Sequence, residues 1–482
     1  MRFQRRFLAL AMSAAVLGGC SLAPVYHAPT VSIATDAWKD SPWKPAQPAD
    51  DLPRGNWWSV YRDPILDSLE TQIESANPSL ASALARYDQA AAYTNQLSAG
   101  LFPSVDGGST LTQNRQSDNR PLRGANQPNV YAANTVGIGA AYELDLWGRV
   151  RNLVAAGQAT AQASAADFES VRLSLHAQLA DSYVRLRGID AQVRLLNDTV
   201  NAYTRALKLT QDRHAGGIAS GLDVARAETQ LSTVRAEAAS IAAQRALYEH
   251  AIASLIGQPA MNFSLAAAPG ELAVPQVPVA LPSVLLQRRP DLASAERRAA
   301  AANATIGVAR AAFYPDFSIF AGFGFQNTGA GGLLTAPNSF WTLGPGVILN
   351  LFDAGLRDAK LEQARAALDQ AGADYRVAAL AAFQQVEDDL AILKYDRESE
   401  LEQDAAVKSA TITLNLAFNR YREGAVNYLE VVTAQAAALS AQRSALDLHT
   451  QQLRTSVDLI RALGGGWSQE TLMDGKTVAS KQ

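Results

Sequence analysis

The run Val136-Gly137-Ile138-Gly139-Ala140-Ala141-Tyr142-Glu143-Leu144-Asp145-Leu146-Trp147 leads, through Gly148-Arg149, into a long stretch rich in Ala, Leu, Gln and Arg. Every second residue from Val136 to Leu146 is apolar, with Gly137, Gly139, Glu143 and Asp145 among those between. That period of two predicts a strand with one apolar face. The pattern then changes. No proline occurs between Pro128 and Pro259, and only Gly157 and Gly188 interrupt Arg149 to about Arg213 as glycines. A continuous helix over that span reaches about 95 Å at 1.5 Å per residue. A lone globular core has no use for such a helix, so the prediction is a coiled coil.

Working outward, the chain repeats itself. Leu144-Asp145-Leu146-Trp147 returns as Leu349-Asn350-Leu351-Phe352, and Phe102-Pro103 as Tyr314-Pro315. Asn77-Pro78-Ser79-Leu80-Ala81 returns as Arg289-Pro290-Asp291-Leu292-Ala293. Gly217-Ile218-Ala219-Ser220-Gly221-Leu222-Asp223-Val224 returns as Gly424-Ala425-Val426-Asn427-Tyr428-Leu429-Glu430-Val431. In chain order the four offsets are 212, 212, 205 and 207 residues, which marks a tandem duplication. Each half reads helix, hairpin, then two long helices. The first repeat is assigned to residues 61–270, with its hairpin at 102–146 and long helices at 149–256. The second takes 271–466, with a hairpin at 314–352 and helices at 356–463. Phe317, Ile319, Ala321, Phe323 and Phe325 alternate with smaller or polar residues, as do Trp341, Leu343, Val347, Leu349 and Leu351. The fourth strand, Val105 to Gln113, is weaker, with Ser, Gly and Thr on both faces. The Gly216-Gly217 and Gly424 turns send the chain back into return helices from Leu222 and Leu429.

The N-terminus is an address. Arg2, Arg5 and Arg6 precede an apolar core from Phe7 to Leu17, and Leu17-Gly18-Gly19-Cys20 follows. Small residues before one Cys fit a lipoprotein signal over residues 1–19, with Cys20 carrying covalent lipid; an ordinary secretory signal is the alternative. Cys20 is the only cysteine, so no disulfide framework competes for it. Residues 20–60 read as an extended lipid-anchored segment and 467–482 as a tail. Loss of residues 1–19 removes three arginines and no acids, moving the formal net charge from −4 to −7. That balance argues against a nucleic-acid partner. No later segment approaches the roughly 18 consecutive apolar residues of a membrane helix, so any crossing must use strands. Strands with one apolar and one small or polar face suit a membrane barrel, although a β-sandwich shares the pattern. Four strands cannot close a barrel, and an open edge in lipid is not viable. Two copies would supply eight strands, in a barrel filled by side chains. Three copies supply twelve and leave a pore.

Cys20-Ser21-Leu22-Ala23-Pro24 with Tyr26 and Pro29 resembles the mature start of multidrug-efflux outer-membrane lipoproteins. So do Trp57-Trp58-Ser59-Val60-Tyr61-Arg62-Asp63-Pro64, Tyr142 to Arg149, and Leu463-Gly464-Gly465-Gly466-Trp467. Together they resemble the lipidated branch of the TolC-like outer membrane factor family, over essentially the whole chain. The resemblance implies an α+β membrane protein, a homotrimer. Its four strands per chain share one 12-stranded outer-membrane β-barrel, and its antiparallel coiled coils form a periplasmic α-barrel. It implies a passive exit duct in the outer membrane, anchored by lipid. The partners are a periplasmic adaptor and a resistance-nodulation-division inner-membrane transporter, and no cofactor is needed beyond the lipid.

By position in the repeated turn, Asp223 and Glu430 fall where the family places an acidic ring, six carboxylates in a trimer. Crowded like charges would favour cations and store strain released on opening. Asp223 is also placed to act as a helix N-terminal acid, and the two roles can coexist. Relatives often carry an Asp one turn on, where this chain has Arg226 and Thr433, which leaves Arg226 to pair with an acid of a neighbouring helix. Tyr421 and Arg422 match positions that hold helix pairs together in the closed state, with Arg213 and His214 in the corresponding place of the first half.

Enzyme chemistry finds no foothold. The five histidines are scattered without ligand spacing, and Gly217-Ile218-Ala219-Ser220-Gly221 is not a nucleophile elbow. The rival readings are a type I secretion duct and a structural coiled-coil lipoprotein.

Overall fold

The structure, a computed structural model, describes residues 21–30, 56–119, 128–268, 270, 272–275, 277, 289–329 and 331–465. The signal segment, Cys20 and the tail from Gly466 lie outside the described residues. Among the described residues the first regular element is a 3-10 turn at Trp57–Tyr61, followed by α1 (Pro64–Ala76) and α2 (Pro78–Ala99). Next come β1 (Ser104–Arg115), β2 (Val130–Glu143), α3 (Arg149–Ala215) and α4 (Gly221–Leu255). The second half follows the same order with α5 (Pro290–Ala311), β3 (Asp316–Asn327), β4 (Ser339–Ile348), α6 (Leu356–Arg422) and α7 (Tyr428–Ala462). The duplication survives in the lengths: α3 and α6 are 67 residues each, α4 and α7 35 each. Among the described residues, no helix is long and apolar enough to cross a membrane.

Both predicted hairpins form, but their strands stop short of residues 146 and 352. Leu144 and Leu146 keep the alternation beyond β2, yet Asp145 turns the chain by accepting from the backbone N–H groups of Val150 and Arg151, at 3.0 and 2.9 Å. It thereby caps the start of α3, where four N–H groups lack helical partners. In the second half Asp353 does this work, accepting from the N–H groups of Gly355 and Arg357. Ala354 and Gly355 between them take positive φ.

The contacts divide the chain into two compact units that do not follow the repeat boundary. Unit 1 joins residues 1–30, 86–164 and 294–376; unit 2 joins 31–85, 165–293 and 377–482. Unit 1 contains the sheet. All four strands are antiparallel neighbours in the order β1-β2-β3-β4, which leaves β1 and β4 as its edges. Unit 2 contains the main hydrophobic core, where Leu66 and Ile73 of α1 meet Leu179 and Tyr183 of α3, Ile252 of α4 and Val457 of α7. A second seam joins Ile189, Leu196 and Tyr203 of α3 to Leu231, Val234 and Ile241 of α4. The seven-residue steps on α3 are those of coiled-coil packing.

Candidate functional site

In the sheet, residues directly opposite on neighbouring strands share a face. Ile138, Phe323 and Trp341 form one such row, and Ala140, Ala321 and Leu343 the next. In a single chain this apolar face is uncovered, and Trp341 is 77% exposed. The opposite face is small. Gly108, Gly137 and Gly324 align across three strands, and Gly139 and Gly322 across two. A Cβ at Gly137 would lie 2.8 Å from the Phe323 carbonyl oxygen, so β2 and β3 approach there more closely than side chains permit. Two aromatic rings lie on this glycine floor. Phe320 covers Gly346, where a Cβ would stand 2.8 Å from the ring, and Phe340 covers Gly324 at 3.0 Å.

At the two helical turns, both in unit 2, the predicted residues gather in one place. Ser220 caps α4, and its Oγ accepts from the Asp223 N–H at 3.2 Å. The Asp223 carboxylate in turn accepts from the Ser220 N–H and hydroxyl, at 3.3 and 2.9 Å. This reciprocal capping box leaves Asp223 only 9% exposed. Its sequence signal, a Ser three residues before an acid at a helix start, was available in Ser220-Gly221-Leu222-Asp223. Within the chain, Arg226 lies 3.7 Å from Asp223 of its own helix.

At the second turn Asn427 caps α7 through the Leu429 N–H, and Glu430 reaches Arg420 at 3.6 Å. Half the Glu430 side chain remains exposed. Thr433 only bonds back to the Leu429 carbonyl. The backbone at Tyr421 and Arg422 is tied to α3 by an arginine from the first half. Arg213 donates to both their carbonyls at 2.9 and 3.0 Å, closing the C-terminal end of α6, and its guanidinium lies 4.8 Å from the Tyr421 ring centre. The Tyr421 hydroxyl donates to Thr210 of α3, and its ring packs edge-on against Tyr428. Sequence reading paired Arg213 with this region only by repeat position, and Arg420 escaped notice because nothing local marks it.

In unit 1, residues 21–26 run antiparallel to α5. Arg310 donates to the Leu22 carbonyl, Asn303 to the Pro24 carbonyl at 2.9 Å, and the Tyr26 hydroxyl to Glu296 at 2.7 Å. Ala23 sits at Gly307, where a Cβ would come within 2.8 Å of its own.

An antiparallel sheet with one uncovered apolar face in unit 1, and helices paired as coiled coils with charged turns in unit 2, are the features expected of an outer-membrane channel component. The chain belongs to the outer membrane efflux protein family, whose model matches residues 69–258 and 281–465. It is 33% identical over 478 residues to the antibiotic efflux pump outer membrane protein ArpC of Pseudomonas putida, covering 97% of each chain. Among solved structures it is similar to a membrane protein from Pseudomonas aeruginosa, at TM-score 0.86 and 31% identity, covering 93% of this chain and 98% of that one. The open state of the Neisseria gonorrhoeae MtrE outer membrane channel matches at TM-score 0.81 and 25% identity, covering 93% and 99%.

Proposed function

We propose that three copies of this chain close a twelve-stranded barrel and act as the exit duct of a tripartite efflux system, with the helical turns as its gate. The observation that carries this reading is the sheet with two unpaired edges, β1 and β4, and one apolar face. Lipid offers no hydrogen bonds, so in a membrane each edge must pair with another strand. Pairing β1 of one copy with β4 of the next satisfies both edges, turns the apolar face to lipid and lines the bore with the glycine face. Cys20 carries the lipid, and a periplasmic adaptor with a resistance-nodulation-division transporter supplies the energy. Relatives named for antibiotic and toluene efflux support small organic molecules as cargo.

Asp223 and Glu430 contribute acids to the gate, and Arg213 with Tyr421 and Arg422 holds it shut. The mature protein in planar bilayers tests this. Small, cation-preferring currents are expected from wild type, and larger, less selective ones from the Asp223→Ala, Glu430→Ala double variant. Equal currents would remove both acids from the gate. Absence of conductance from folded protein would overturn the duct itself.

A further inference from the structure

Far along the chain from the turns, within the core of unit 2, His176 of α3 stands between two carboxylates of α1. Its Nδ1 is 2.7 Å from Glu70 Oε2 and its Nε2 3.1 Å from Glu74 Oε1. Trp58 stacks on the ring, with centres 4.5 Å apart. His176 is 3% exposed and Glu70 fully buried, and among the described residues Glu70 Oε1 has no hydrogen-bond partner. The proton count follows from the geometry. A neutral imidazole donates from one nitrogen only, and its other nitrogen would then set a lone pair against a carboxylate lone pair. Two short contacts therefore require one more proton than neutral His176 with two ionised glutamates can supply.

We propose that His176, Glu70 and Glu74 form a proton-held latch that fastens α1 to α3 when the shared proton is present and loosens as pH rises. The other charged groups facing it are Asp67 of α1 and Glu169 and Arg172 of α3, while Trp58 of the 3-10 turn brings no charge. Arg172 is engaged by Glu169 at 2.9 Å and lies 3.8 Å from Glu74, so carboxylates outnumber cations around the ring. Burial pushes Glu70 up to about 7, against the opposing hydrogen bond from His176. At His176 burial favours the neutral ring, but the two carboxylates outweigh it and raise its affinity for the proton.

Both groups thus bind protons more tightly folded than unfolded. Their stabilisation is complete below the unfolded values, roughly 4.3 for Glu and 6.5 for His. It is lost as pH climbs through the raised folded values. The ends of α1 are pinned separately, by Tyr183 donating to Asp63 and by Asn77 donating to the Leu255 carbonyl. Release of the latch therefore opens α1 locally and leaves its ends tethered.

Amide hydrogen exchange on the full-length protein in lipid nanodiscs, corrected for the intrinsic pH dependence, tests the latch between pH 5.5 and 8.5. We expect protection of residues 65–76 to fall at least about tenfold relative to α7, the counterpart of one pKa unit. Glu70→Gln should cut that fall by at least half. An identical pH trend in α1 and α7 of the wild type would overturn the proposal, and needs no variant to fold. So would a Glu70→Gln protein that folds and keeps the full wild-type trend.

Discussion

At the first helical turn the third residue of the return helix, Asp223, folds back onto Ser220 and is buried. At the second the equivalent Glu430 leaves its cap alone and extends to Arg420. Both positions descend from one duplicated motif, so the difference lies in the cap. A Ser cap exposes its own N–H and hydroxyl to a short acid three residues on, which completes a capping box. Asn427 spends its side chain on the Leu429 N–H, and the longer Glu430 is left to face solvent. The same position in the repeat therefore holds a structural acid in one half and an available charge in the other. Of the two, Glu430 is the better placed to act on a passing ion.

Substitutions can break or sharpen that contrast. Arg213→Ala should have the largest effect, removing two charge-assisted hydrogen bonds and a ring contact for about 2 kcal/mol of local stability. Exchange protection of residues 418–428 would report it, and unchanged protection would dismiss Arg213 as the clasp. Gly217→Ala and Gly424→Ala come next. Both glycines hold positive φ, at 76° and 83°, and each substitution should cost about 1 kcal/mol, read as thermal shifts of similar size in the two halves. Asp223→Ala should cost about 1 kcal/mol through the lost cap, seen as faster exchange in the first turn of α4. Glu430→Gln should change stability by less than about 0.5 kcal/mol, because its ion pair is exposed. It should nevertheless lower cation preference in bilayer currents more than Asp223→Asn does. The reverse order would return the charge-bearing role to Asp223.

Much of this architecture is legible in periodicity. The phase of β2, β3 and β4 follows from alternate apolar residues, while β1, with Ser, Gly and Thr on both faces, takes its register from β2; the glycines at 217 and 424 mark where the long helices turn. Strand ends are less legible, because Leu144 and Leu146 continue the alternation while Asp145 is already capping a helix. Contacts between the two halves leave no local trace at all. Arg213 reaches carbonyls more than 200 residues away, and any arginine near the end of a helix reads the same. Burial of His176 between two glutamates is equally silent, since in sequence it is one of five scattered histidines.

Phe320 and Phe340 rest on Gly346 and Gly324 with no room for a methyl group between ring and backbone. In the proposed trimer the bore carries six such rings, each set over a glycine. On that reading the width of the passage depends on the glycines beneath the rings that line it. At Gly346 a change to Ala would meet the Phe320 ring at 2.8 Å and lift it inward, while at Gly324 it would first meet the Val136 carbonyl oxygen of β2 at 2.5 Å and strain the sheet itself. Cargo size could drift between relatives through a position such as Gly346 while every recognisable lining residue stays the same.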